Sequence, residues 1–130
     1  MTLPFDTAAQ LSKLKNVWHT QVVHDCERAA QLIDSLSGPE ADEVDVREEL
    51  HRIFHDMQGQ AGLFGYPLLA SLATRFCGYW RGVEHMGSQE TAVARAHIVA
   101  ARFVLDRNLE GCGGQAGQAI MAKLDALLAA

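Results

Sequence analysis

The sequence predicts an all-α fold: an up-and-down antiparallel four-helix bundle, with five helices in all counting a short terminal one. Three observations predict it. Apolar residues recur at helical spacing along most of the 130 residues. No segment alternates apolar and polar side chains as a half-buried strand does. The breaks between periodic stretches are short, which favours antiparallel neighbours. A chain of this length holds one core, so a single domain over 1–130 is expected.

The first helix is expected over about residues 8–36, where Leu11, Leu14, Trp18, Val22, Cys26, Ala29, Ile33 and Leu36 share a stripe. Ser37-Gly38-Pro39 stops it. The second, about 41–63, carries Val46, Leu50, Ile53, Met57, Ala61 and Phe64 on one face. Gly65 stands where a left-handed C-cap is expected, and Pro67 suits the first turn of the helix that follows. That third helix, about 67–84, buries Leu69, Leu72, Ala73, Phe76, Trp80 and Val83. Ser88 is the expected N-cap of a fourth helix reaching about residue 109, with Ala94, Ile98, Ala101, Leu105 and Leu109 inward. Glu110-Gly111-Cys112-Gly113-Gly114 breaks the chain again, and Ile120, Met121, Leu124, Leu127 and Leu128 line a short last helix.

Composition narrows the function. The net charge is −5 with no run of Lys or Arg, which argues against nucleic acid and against a polybasic membrane contact. No apolar run approaches the roughly 18 residues of a membrane span. Met1-Thr2-Leu3-Pro4-Phe5-Asp6 lacks the basic and apolar regions of a signal peptide. Cys26, Cys77 and Cys112 are odd in number and widely spaced, which reads as reduced thiols of a cytoplasmic protein.

The segment from His55 to Pro67 carries the chemistry. Glycines follow His55 at four and seven residues, and each glycine inside a helix costs about 1 kcal/mol relative to alanine. On a wheel of about 100° per residue, Leu50, Ile53, Met57, Ala61 and Phe64 cluster opposite His55. Glu48, His51, Arg52, Gln58, Gly59 and Gly62 share its side. His55 is therefore expected at the surface, beside a strip cleared of side chains.

The pattern His55-x-x-Gln58-Gly59-x-Ala61-x-x-x-Gly65 resembles the signature of histidine phosphotransfer (HPt) domains, His-x-x-Lys-Gly with small residues and a later glycine. Phe64-Gly65-Tyr66-Pro67-Leu68 is similar to the turn that follows it there. The motif likeness covers about residues 50–73, and helix number and order agree over most of the chain. The resemblance implies a phosphocarrier rather than an enzyme, with His55 accepting a phosphoryl group and passing it between receiver-domain aspartates. It implies Nε2 as the phosphorylated atom. Its expected partners are receiver domains of response regulators or hybrid histidine kinases. His51, Arg52, Gly59 and Gly62 are the expected contact residues, and a monomer is expected. No cofactor is expected on this chain; Mg²⁺ belongs to the partner receiver domain. The chemistry suits an exposed imidazole, since a histidine is largely neutral at pH 7 and nucleophilic through its free nitrogen.

One position departs from the pattern. Gln58 stands where the family carries Lys. It keeps a donor at the same reach for a phosphoryl hydrogen bond, without the charge. Arg52, three residues before His55, is a candidate charge stabiliser, or else pairs with Glu48 or Glu49. The alternative function is an HPt-like module that binds a kinase or regulator without carrying phosphate.

Metal chemistry is set aside. His51 and His55 have zinc-type spacing, but Arg52 replaces the glutamate of His-Glu-x-x-His. Glu48-x-x-His51 has no second copy, as a di-iron bundle requires. Gly111-x-Gly113-x-x-Ala116 follows a helix rather than a strand, so it reads as a turn. Trp18 and Trp80 read as core, and His19, His24, His85 and His97 receive no role.

Overall fold

The computed structural model describes residues 7–38 and 42–129. The segment Met1 to Asp6, on which the expectation about a signal peptide rests, Pro39 of the first break and the expected start of the second helix at residue 41 lie outside them. The described residues form five helices and no strand: α1 (Thr7–Ser35), α2 (Glu43–Gln60), α3 (Pro67–Trp80), α4 (Ser88–Asp106) and α5 (Gly114–Ala129). No helix among them is long and apolar enough to cross a membrane. Helix α2 packs against α1 and α3, α4 against α1 and α3, and α5 against α3 and α4. The buried side chains form one cluster built from all five helices.

The apolar stripes of α2, α3 and α4 lie where their spacing places them. Phe54 and Val93 join those stripes, buried to 1% and 0% exposure. Leu11 and Leu14 do not: they are 57% and 56% exposed. The first turns of α1 run past the core, and Trp18 is the first residue of α1 to be buried, stacked on Phe64 at 5.0 Å. Spacing marks a face of a helix but not the length over which a neighbour covers it.

Several helix ends are earlier than expected, each for a local reason. Regular α2 stops at Gln60, and residues 61–65 tighten into i→i−3 turns. Gly65 then takes φ +88°, Tyr66 N–H donates to Ala61 C=O at 2.9 Å, and Gly65 N–H donates to Gly62 C=O at 3.3 Å. These are the two bonds of a Schellman cap, so the expected left-handed glycine is there. Asn108 performs the same service for α4 at φ +49°, with Leu109 N–H donating to Val104 C=O at 2.9 Å. That cap ends α4 at Asp106 rather than 109. Helix α3 ends at Trp80 rather than 84, where Val83 N–H turns back onto the Trp80 carbonyl. The N-cap of α4 is Gly87 rather than Ser88, and Glu90 Oε1 accepts from the Gly87 N–H at 3.0 Å.

Two anchors hold α2. At its start, the Asp42 carboxylate accepts from Val44 and Asp45 N–H, and Glu43 pairs with His85 and the Met86 N–H. The Met86 bond and the pair with His85 both hold the Glu43 carboxyl below its ordinary range. At its end, the turn after α2 is tied to the turn after α4. Gly111 N–H donates to Gly65 C=O at 3.0 Å, Leu68 N–H to Gly111 C=O at 3.2 Å, and Tyr66 Oη to Asn108 Oδ1 at 3.1 Å. The Gly111–Gly114 segment is thus an interhelical turn, as its sequence context predicts.

Cys26 and Cys77 are buried free thiols, and burial pushes the Cys26 thiol up to about 12. Cys112 is a free thiol too, but exposed in the turn before α5.

Candidate functional site

His55 sits in the middle of α2 with its side chain 66% exposed, while Val46, Leu50, Ile53, Phe54 and Met57 bury the opposite face. The helix is amphipathic, so burying that stripe forces His55 outward. A Cβ built on Gly59 or on Gly62 would meet no atom within 4 Å. Neither glycine is required by packing, and the strip beside His55 is open. Leu63, 79% exposed, borders it.

The two flanks of this face differ. Toward α1, Arg52 Nη2 donates to Glu49 Oε1 at 2.8 Å, Nε to Glu49 Oε2 at 3.1 Å, and Nη1 to Asp56 Oδ2 at 3.0 Å. Arg28 reaches the same Glu49 carboxylate at 3.4 Å. The hydrogen bonds from Arg52 hold the Glu49 carboxyl below its ordinary range, and Glu49 in turn holds the Arg52 guanidinium more firmly protonated. Arg52 is therefore committed to two carboxylates. To stabilise a charge on His55 it would first have to leave them.

Toward α3, Arg47 fixes the direction: its carbonyl accepts from Trp80 Nε1–H at 3.0 Å, and its guanidinium donates to the Glu84 carbonyl. On the helical wheel Gln58 and His51 fall on this same flank. Gln58 is half-buried, and its Oε1 is enclosed with no hydrogen-bond partner. His51 is half-buried, and its ring lies 5.8 Å from that of His55, at 30° between planes. Neither ring makes a hydrogen bond among the described residues. His55 Nδ1 is 4.0 Å from Asp56 Oδ1, beyond hydrogen-bond range yet close enough to attract an N–H.

The residues singled out by sequence thus share one surface: His51, Arg52, His55, Gln58 and Gly59 on α2, and Gly62 in the turn after it. Asp56, and the choice of Glu49 over Glu48 as the partner of Arg52, were not singled out. Their signal was present, since Glu49-x-x-Arg52 and Arg52-x-x-x-Asp56 have helical ion-pair spacing.

Chemically, the face offers an accessible imidazole nucleophile and hydrogen-bond donors. No group of three or more His, Cys, Asp or Glu side chains among the described residues could hold a metal ion. Comparisons with protein-family models, with curated proteins and with solved structures gave no match.

Proposed function

We propose that this protein is a histidine phosphotransfer protein that carries a phosphoryl group on His55 between receiver-domain aspartates of a two-component phosphorelay. The observation that carries the proposal is the exposed His55 opposite the core of α2, beside glycines with nothing packed against them. A receiver's backbone can approach there without meeting a Cβ. The architecture we assign is an up-and-down antiparallel four-helix bundle of α1–α4, with α5 laid against α3 and α4. The cyclic neighbour pattern α1–α2–α3–α4–α1 supports it. So does the pairing of early α1 with the end of α2, through Trp18 and Phe64, and of late α1 with early α2, through Arg28 and Glu49.

The transfer asks little of the bundle beyond position. The Nε2 lone pair of His55 forms the N–P bond as the P–O bond to the receiver's aspartate breaks, and its electrons leave with the carboxylate. The Asp56 carboxylate favours the tautomer with hydrogen on Nδ1, which leaves Nε2 as the nucleophile. The Nδ1 proton then passes to water. The receiver supplies the aspartate and its Mg²⁺. We place the protein in the cytoplasm as a monomer.

A receiver charged with labelled phosphate is expected to label the wild type and leave His55→Ala unlabelled. Equal labelling of both would end the proposal. Gln58 favours a second reading, an interaction module without phosphate, because its amide is neutral and its Oε1 is enclosed. That reading requires equal receiver affinity for wild type and His55→Ala, with no acid-labile phosphate on either.

A further inference from the structure

We propose that His51, in its protonated form, donates the charge-assisted hydrogen bond to the phosphoryl group on His55. The inference rests on the phosphocarrier reading above and assigns to His51 the role that a lysine at position 58 would have.

A phosphorylated side chain carries close to two negative charges at pH 7, and its oxygens are strong acceptors. His55 is exposed, so water solvates that charge, and a cationic donor on the bundle adds to the stabilisation. Gln58 is neutral, and its amide is half-buried. Arg52 is held by Glu49 and Asp56. Lys15 is paired with Glu110, beyond the far end of α2. Arg47 points at the Glu84 carbonyl. Arg81 has no carboxylate partner among the described residues, but its neighbour Trp80 bonds the Arg47 carbonyl. That level is eight residues before His55, or about 12 Å along the helix axis. His51 is one turn away, on the same face, with its ring 5.8 Å from that of His55 and no hydrogen bond to give up.

The geometry suits a bridge. A phosphoryl group on Nε2 extends the His55 side chain by a P–N bond and a P–O bond, a reach comparable with the 5.8 Å between the two rings. Neither ring makes a hydrogen bond among the described residues. The charged groups that line a cleft with His51 are Arg47 and Glu48 on α2, and Arg81 and Glu84 after α3; Arg52 and His55 are its neighbours along α2. Glu48 and Glu84 offset Arg47 and Arg81 in formal charge, and Arg52 is already paired with Glu49 and Asp56, so the phosphoryl group is the added charge that favours the imidazolium. The bond is strong when His51 is protonated and weak when it is neutral. Phosphate retention on His55 then depends on pH through a residue that lies outside the phosphoacceptor itself.

The test uses the full chain and a response-regulator receiver charged by acetyl phosphate with Mg²⁺. The equilibrium fraction of phosphate on His55 is measured for wild type, His51→Ala and His51→Lys at pH 6.5 and 8.5. Any pH effect on the receiver or on the His55 ring is common to all three, so the ratio to wild type is read. The deficit of His51→Ala relative to wild type is expected to be about fivefold larger at pH 6.5 than at pH 8.5, the difference between a charge-assisted and a neutral hydrogen bond. His51→Lys, charged at both, is expected to equal wild type at pH 6.5 and exceed it at pH 8.5. A ratio for His51→Ala that is the same at both pH values overturns the inference. So does a loss that lysine does not restore, which would make His51 a partner contact only. Both of those outcomes leave His55 labelled and the phosphocarrier reading intact. An unlabelled wild type would overturn that reading, and this inference with it.

Discussion

Gly59 offers a direct measurement of what the open strip is for. Alanine at that position has space, since its Cβ meets no atom within 4 Å. Within a helix, alanine is more stable than glycine by on the order of 0.5–1 kcal/mol. For a chain of this size that corresponds to a rise in melting temperature of about 2–4 °C. The same methyl group stands on the face of His55, where the receiver's backbone must come close. Gly59→Ala is therefore expected to gain stability and lose transfer rate. Gly59→Trp is expected to stay folded, with stability within about 1 kcal/mol of wild type, because the side chain projects into solvent. Its transfer from a charged receiver should fall at least about tenfold, equivalent to 1.4 kcal/mol. Urea unfolding reads the first effect, and the initial rate of His55 labelling the second. If Gly59→Ala destabilises the protein, the glycine serves packing. If Gly59→Trp transfers at the wild-type rate, the receiver does not approach over this strip.

Two further outcomes are expected. Gln58→Lys, which restores a cation three residues after His55, should raise phosphate retention about fivefold; an unchanged level at pH 8.5 would show that position 58 does not reach the phosphoryl group. His97 is fully buried, its Nδ1–H donates to the Val93 carbonyl at 2.8 Å, and its Nε2 has no partner. Burial against Phe76, aided by the nearby Arg75 charge, lowers its pKa below the usual 6.5. The unfolded chain then binds a proton that the folded chain refuses. Stability from this residue is present above pH 6.5 and is lost as pH falls below it, by at most about 1.4 kcal/mol per pH unit. Urea titrations should show that decline between pH 6.5 and 5 in wild type and not in His97→Leu; parallel curves would refute it.

The site was legible to the extent that it lies on one helix. The wheel around His55 needs only the helical repeat, and Gly65 and Pro67 mark the turn that ends α2. Asn108 was less legible as a cap because asparagine enters the left-handed region less often than glycine does. The helical spacing of Leu11 and Leu14 marked α1 correctly, but not that the stripe is covered only from Trp18 onward. His97 lies in the mostly apolar stretch Val93 to Ala101 with no partner pattern in sequence, and only burial made it unusual.

The sequence alone determined which face of α2 carries His55, since periodicity and polarity are local properties of one helix. Tertiary structure decided how its neighbours are occupied. Whether Arg52 is free or held, and whether Gln58 Oε1 is open or enclosed, depend on rotamers that several side chains choose together. Glu49, itself shared with Arg28 of α1, holds Arg52, and the surrounding packing encloses Gln58 Oε1 without giving it a partner. The open strip at Gly59 and Gly62 likewise became a fact only when no neighbouring element filled it. Spacing along the chain names the residues that can meet, but competition among partners across helices settles which of them do.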